Sequence, residues 1–330
     1  MKRHGNLFET FASFSNLLKA FKKARKGAVG KRETQQFSFY MEHELFYLQE
    51  ELLGGSYHPS PYRYFQIFDP KQRTISVAAF RDRVVHHALI NVLEPIYERC
   101  FIHDSYATRK GKGTHVAVGR AQCFLRQSPW FFKTDIDKYF DSIQQDILLG
   151  LLERKIKDDR ILSVAEAIIQ NGGVSGVGLP IGNLTSQFFA NVYLNPFDHF
   201  VKQELGVRHY LRYMDDFVLF ANNRQQLKLW RTEINKYLEQ QLFLSLKPKA
   251  SFINQAPNGL TFLGRRIFPN VIRLARPNGQ RMLRRMSEKQ SAFRQGDISE
   301  AAFLQSMNSY WEQLEPFPGL RKKLLLGQLA

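Results

Sequence analysis

The chain of 330 residues is 44% hydrophobic and 13% aromatic, enough apolar material for a large, divided core, which excludes a disordered tail. Its 47 Lys and Arg against 30 Asp and Glu leave a net charge of +17, a balance suited to partners such as nucleic-acid backbones. Only Cys100 and Cys123 are present, with no zinc-site spacing, and no apolar run approaches the ~20 residues of a membrane span, so a cytoplasmic protein with no membrane partner is expected.

The basic residues gather at two ends. Residues 1–33 hold nine Lys or Arg against two Glu, and residues 265–294 hold nine against one, as two separate surfaces along a bound duplex would require. From the N-terminus, Leu7, Phe11, Phe14, Leu17, Leu18 and Phe21 mark an amphipathic segment running into Lys22-Lys23-Ala24-Arg25-Lys26. That stretch reads as a nucleic-acid contact, with a solvated helix face as the alternative. Residues 37–53 read as a helix with Phe39, Leu45, Phe46, Leu48, Leu52 and Leu53 on a broad apolar face, ended by Gly54-Gly55. The run YRYFQIFDPKQRTISVAAF alternates around Asp69-Pro70 and predicts strand, turn and strand, with Lys71 and Arg73 just past the turn. Residues 81–99 form an apolar helix interrupted before Pro95, and its adjacent His86 and His87 do not share a helix face, so both read as structural. In SYATRKGKGTHVAVGR, residues 105–120, Arg109, Lys110 and Lys112 lie among glycines that let backbone approach a phosphate chain. The order is not that of a P-loop, which leaves template-backbone contact or a plain basic loop.

The acidic residues carry the chemistry. WFFKTDIDKYFDSI, residues 130–143, is an apolar run that brings Asp135 to its end, and Ser142 with Gln145 predicts a capping box for the next helix. Helical sequence follows over 146–170, and then NGGVSGVGLPIGNLTSQFFANVYL leads a glycine-rich loop into an apolar helix. In VRHYLRYMDDFVLFA, residues 207–221, two short apolar runs flank Met214-Asp215-Asp216, the pattern of a tight hairpin. Adjacent carboxylates between apolar strands repel one another and resist ionising unless a cation sits beside them, and a hard divalent metal resolves that conflict. Three carboxylates from a strand end and a turn could hold two metals roughly 3.5–4 Å apart for in-line phosphoryl displacement.

Tyr213-Met214-Asp215-Asp216, together with Asp135 and Phe140, resembles the palm of a reverse transcriptase. The resemblance implies an α+β right-hand polymerase fold: a basic N-terminal extension and fingers over 1–129, a palm over 130–268 with inserted fingers helices at about 146–177, and a thumb over 269–330. It implies catalysis by Asp135, Asp215 and Asp216 with two Mg²⁺, for which Mn²⁺ can substitute in vitro. Lys71 and Arg73 fall on the fingers hairpin that closes over the incoming triphosphate, where a planar guanidinium can fork two phosphate oxygens; both also fit exposed turn charges. Phe140 falls where an aromatic ring would collide with a ribose 2′-hydroxyl, implying deoxynucleotide substrates. Lys249 occupies the place of a lysine that could protonate pyrophosphate, or that simply binds backbone. TFLGRRIFPN, residues 261–270, resembles the primer grip, with Gly264 at its turn and Arg265-Arg266 beside the primer. The helical, basic C-terminus with Tyr310 and Trp311 suits a thumb, and no RNase H, integrase or endonuclease region is expected after it.

Within that family, many members read Leu-Pro-Gln-Gly where this chain has Leu179-Pro180-Ile181-Gly182. Gly178, Pro180 and Gly182 fix a backbone shape that could lie beneath a base pair. The string IGNLTSQ, whose Gly182 and Gln187 are expected to contact nucleic acid, is similar to the signature of diversity-generating retroelement reverse transcriptases, with SYATRKGKGTH, FDPKQRTI and DRVVHHAL agreeing. That resemblance implies an RNA template repeat copied into cDNA with errors opposite adenine, an RNA/cDNA duplex and dNTPs as ligands, and a small basic accessory variability protein as partner. A physical argument stands beside it: glutamine at 181 could hydrogen-bond the nascent pair, whereas Ile181 offers only shape, and each ~1.4 kcal/mol of discrimination lost is tenfold in selectivity. The rival readings are a group II intron, retron or phage-defence reverse transcriptase, and a non-catalytic nucleic-acid-binding scaffold.

Overall fold

A computed structural model describes residues 3–68, 72–173 and 175–314. Contacts divide the chain into two compact units. One comprises the described parts of 1–113, 133–219 and 228–252; the other comprises those of 114–132, 220–227 and 253–330.

Strands β1 (Arg63–Ile67) and β2 (Arg73–Val77) form the expected antiparallel hairpin, pairing Arg63 with Val77 and Ile67 with Arg73. Strand β3 is Trp130–Asp135, β4 is Tyr210–Tyr213, β5 is Asp216–Ala221 and β6 is Phe252–Gln255. These four form one sheet in the order β4-β5-β3-β6. Strands β4 and β5 are buried at all but one position each and β3 at three of its six, with none of their residues exposed, which is why they read as continuous apolar runs rather than alternating ones. Strands β7 (Leu260–Phe262), β8 (Arg265–Ile267) and β9 (Ile272–Leu274) form a separate antiparallel sheet. The β7–β8 turn places Leu263 and Gly264 at φ +48° and +76°, the left-handed pair of a two-residue hairpin loop.

In the first unit the Phe14–Arg25 helix lies along the Phe80–Tyr97 helix and buries Leu17, Ala20, Phe21 and Ala24, leaving Lys22 and Lys23 exposed. The 81–99 expectation needs correction, because the helix runs through Pro95 to Tyr97; the proline removes one hydrogen bond without ending the packed apolar face. The 37–53 segment is two helices, Arg32–Phe39 and Met41–Leu53, parting at Tyr40. Leu45, Leu48 and Leu52 are buried as expected, but Phe39, Phe46 and Leu53 are exposed. Helix Leu184–His199 supplies the largest buried face here, and a π-helical turn, Phe200–Glu204, leads from it toward β4.

In the second unit the Arg276–Arg294 and Glu300–Leu314 helices close a small core of Met282, Met286 and Leu314, packed by Leu274, Met307, Tyr310 and Trp311. Tyr310 and Trp311 therefore spend their rings partly on this core. Among the described residues no helix is long and apolar enough to cross a membrane.

Candidate active site

Asp135 ends β3, and the β4–β5 hairpin closes on Met214-Asp215, with Tyr213 paired to Asp216. Met214, at φ +57°, takes the left-handed conformation that a two-residue hairpin requires, at a cost of roughly 1–2 kcal/mol for a residue with a Cβ. The Ile136 N–H donates to the Asp215 carbonyl at 3.2 Å, so the strand end and the turn are joined through backbone. The result is one cleft of about 490 Å³ in the first unit. Asp135 and Asp215 share its wall with Gln72, Arg73, Thr108, Phe140, Ile181, Gly182, Gln187, Tyr213 and Lys247.

Burial and the Asp135 charge push the Asp215 acid up to about 6, while Arg73 pulls it back toward the ionised form. Burial pushes Asp216 up to about 7, against the opposing pull of Lys133, whose ammonium lies 3.0 Å from Asp216 Oδ1. Burial is the main cause of both shifts, and a cation beside Asp215 would oppose it. Asp216 is the first residue of β5 and lies against Lys133, whereas Asp135 and Asp215 face the cleft. Among the described residues no three His, Cys, Asp or Glu side chains are grouped around one cation position. Two carboxylates are nevertheless enough for magnesium, which commonly takes one or two with water and substrate phosphate completing the shell. The donor set fits such an ion.

The remaining residues singled out in the sequence divide clearly. Arg73 opens β2 exposed, lines the cleft and acts electrostatically on Asp215; Lys71 lies outside the described residues. Phe140 lies on the cleft wall with its ring edge-on to Tyr139 at 5.6 Å, and the Tyr139 hydroxyl donates to the Ala190 carbonyl at 2.5 Å. Ile181 and Gly182 sit where β2 meets the glycine-rich loop: Ser76 N–H donates to Ile181 O at 2.8 Å, and Asn183 Nδ2 donates to Ser76 O at 3.2 Å. Gly182 adopts φ +116°, and a Cβ there would fall 2.7 Å from Ile75 Cγ2 and 3.1 Å from Ser76 O, so only glycine allows this approach. Gln187 accepts from the Thr108 hydroxyl at 3.3 Å on the same wall.

Three expectations are corrected. Arg109 is no surface for a template backbone: its side chain is 6% exposed, its Nε and Nη2 fork Glu98 at 2.9–3.1 Å, and its Nη1 donates to Ile102 O and Ser105 O. It pins the loop from within, leaving Lys110 exposed while Lys112 donates to His103 O at 2.9 Å. Lys249 sits exposed on the Pro248–Ala250 turn and does not line the cleft. The lysine on the wall is Lys247, whose N–H donates to Asp135 O at 2.8 Å and whose Nζ is 4.0 Å from Asp137 Oδ1. The Ser142–Gln145 capping box does not form, since Ser142 Oγ donates to Lys138 O and buried Gln145 donates to Ile169 O and Gly178 O.

In the second unit Arg265 lines a cleft of about 380 Å³ with His115, Arg281, Arg285 and Tyr310, and burial lowers its pKa. Arg266 donates to Thr261 Oγ1 at 2.8 Å and to Asn258 O. His86 is buried and held neutral, its pKa pushed down to about 3 by burial and then by His87 and Arg83, as a structural histidine requires.

A buried charged group was also missed in the sequence. Arg212, 0% exposed on β4, forks Asp198 at 2.8 and 2.6 Å and reaches Asn191 Oδ1 at 3.1 Å and Met214 O at 2.9 Å. The signal was present as two lone opposite charges, Asp198 in an apolar helix and Arg212 in an apolar hairpin.

A two-acid cleft at a strand end and a hairpin turn, on a mixed helix-and-sheet frame, fits the palm of a reverse transcriptase fold. The chain belongs to the reverse transcriptase (RNA-dependent DNA polymerase) family, whose sequence model matches residues 68–267. Protein YkfC of Escherichia coli is 28% identical over 270 residues, covering 68% of this chain and 71% of that protein. The group II intron-encoded protein LtrA of Lactococcus lactis is 29% identical over 174 residues, half of this chain and 29% of LtrA. Among solved structures, the telomerase of Candida tropicalis in complex with a fragment of telomeric RNA superposes with a TM-score of 0.53 at 13% identity, covering 81% of this chain and 54% of that one. That likeness concerns the α+β fold alone. The chain thus spans less than a third of LtrA and about half of the telomerase chain.

Proposed function

We propose that this chain is an active RNA-directed DNA polymerase. The observation that carries the reading is the meeting of Asp135 and Asp215 in one cleft also lined by Arg73, Lys247, Phe140, Ile181 and Gly182. Asp135 and Asp215 would hold divalent metal, Mg²⁺ or Mn²⁺, with Asp216 as the third carboxylate of the set on its Lys133 anchor. When bound, such ions lower the pKa of the primer 3′-hydroxyl and neutralise charge on the triphosphate and departing pyrophosphate. Arg73 forks phosphate oxygens from the β2 side, and Lys71 is assigned the same task. Lys247 supplies a second cation in the cleft lining. The Phe140 ring excludes a 2′-hydroxyl and so selects dNTPs. Lys110 and Lys112, Gly182 and Gln187 guide an RNA template, while Arg265 and Arg266 hold the primer strand of the RNA/cDNA duplex.

The test is extension of a labelled DNA primer on RNA. The wild type should add dNTPs and not rNTPs in the presence of Mg²⁺, and Asp215→Ala should abolish addition while still binding the duplex. Binding without extension by the wild type would favour the scaffold reading.

For the subtype, the Ile181-to-Gln187 string supports a diversity-generating retroelement enzyme that makes adenine-mutagenised cDNA with a small basic accessory protein. The similarity to LtrA supports a second reading, a group II intron enzyme. Sequencing the cDNA separates them: an excess of errors opposite template adenine, lowered in Ile181→Gln, favours the first. An even spectrum in both variants favours the second.

A further inference from the structure

The acids that face the cleft do not set their own position. Met214 and Asp215 are consecutive residues of the turn, and each carbonyl is held by a different donor: Met214 O by Arg212 Nη1 at 2.9 Å, and Asp215 O by Ile136 N at 3.2 Å. The Ile136 bond ties the turn to the residue after Asp135. The Arg212 bond ties it to a buried frame. Asp198 takes the Arg212 guanidinium in a two-pronged pair and also accepts from the Tyr210 hydroxyl at 2.7 Å, while Asn191 receives Nη1 and anchors Ala107 O at 2.9 Å. The backbone of Arg212 is fixed as well, its N–H to Asp104 O and its carbonyl to Tyr106 N–H, both at 2.9 Å.

A fully buried ion pair is a poor source of stability, since apolar residues of equal volume commonly do as well or better. What apolar residues could not do is deliver a fixed donor to the Met214 carbonyl. Met214 is held at φ +57° although it is not glycine, and such strain persists where the surroundings over-determine it.

We propose that Arg212, held by Asp198, is a positioning residue for the polymerase reaction: it fixes the Met214–Asp215 peptide so that the Asp215 carboxylate stays registered with Asp135 for divalent metal. This rests on the polymerase reading of the cleft. Lysine at 212 keeps the charge but loses the planar fork, so it cannot serve Asp198 and Met214 together. Loss of such supporting contacts typically costs about 10- to 100-fold in metal affinity or activity.

The test compares wild type, Arg212→Lys, Asp198→Asn and the milder Tyr210→Phe. Mn²⁺ binding is titrated by electron paramagnetic resonance, with single-nucleotide addition and melting temperature measured in parallel. For folded protein, Arg212→Lys and Asp198→Asn should weaken Mn²⁺ binding and lower kcat by about 10- to 100-fold, with KM for dNTP little changed. Tyr210→Phe, which removes only a hydroxyl, should shift both in the same direction by less, and it carries the test if the charged-pair variants do not fold. Unchanged Mn²⁺ affinity and kcat per folded molecule in an active enzyme, with only the melting temperature lowered, would make Arg212 merely structural and overturn the proposal. A wild type that binds Mn²⁺ yet extends no primer would instead overturn the polymerase reading, and this inference with it.

Discussion

Replacing Asp215 by asparagine should stabilise the metal-free protein while destroying the site. In the fold the Asp215 acid is weakened from its ordinary 3.8 to about 6, first by burial and then by Asp135. A folded-state acid raised above its unfolded value contributes most below pH 4, where it is protonated in both states. That contribution is lost as pH rises through about 6. At 1.36 kcal/mol per unit, a shift of about two units corresponds to an upper bound of about 3 kcal/mol by pH 8. An asparagine side chain carries no charge to desolvate. In EDTA the variant should therefore gain on wild type progressively between pH 4 and 7, reaching on the order of 1–3 kcal/mol at pH 8. Saturating Mn²⁺ should reverse the order, because ligand binding stabilises only the fold that can bind it. Urea denaturation at pH 5 and pH 8, with EDTA or Mn²⁺, measures all four conditions. A variant that is less stable than wild type in EDTA at pH 8, or a difference independent of pH, would show that the Asp215 charge is not under this strain.

Further outcomes follow from the same geometry. Arg109→Ala breaks a mostly buried fork to Glu98 and should cost on the order of 3 kcal/mol in urea unfolding, while template affinity per folded molecule, read by filter binding, stays level. Lys247→Ala should slow nucleotide addition in single-turnover assays and Lys249→Ala should not, because only the first lines the cleft. Gly182→Ala forces a Cβ onto Ile75 and Ser76 at a positive φ and should cost about 1–3 kcal/mol, seen as a lower melting temperature together with a higher KM for dNTP.

Much of the candidate site's geometry was legible because its acids interrupt apolar strands. Asp135 at the end of an apolar run and Asp215 between two others read as turn or edge residues, and the order β5-β3 in one sheet brings them together. Arg73 was legible for a similar reason, since the alternation around Asp69-Pro70 sets the hairpin register. The misses share one cause: a partner distant in sequence decides where a side chain points. Lys247 and Lys249 flank one proline and look equivalent, until the Asp135 carbonyl captures the Lys247 N–H and sets the register. Arg109 sits in a basic, glycine-rich run that suggests solvent, but Glu98, across the intervening loop, draws it inside. Gln145 fits a capping pattern locally, yet two carbonyls from 169 and 178 outcompete the cap. Arg212 was hidden because a charge in an apolar strand has no meaning without Asp198.

The proposed DNA synthesis rests on Asp135 and Asp215 holding one ion between them. Anomalous diffraction from crystals of the chain with a template-primer, a non-reactive dNTP analogue and Mn²⁺ would show where that ion sits. The expected result is a manganese peak bonded to both carboxylates and to the triphosphate. Nucleotide bound in the cleft with manganese ligated elsewhere, and neither Asp135 nor Asp215 in contact with it, would be incompatible with the two acids acting together.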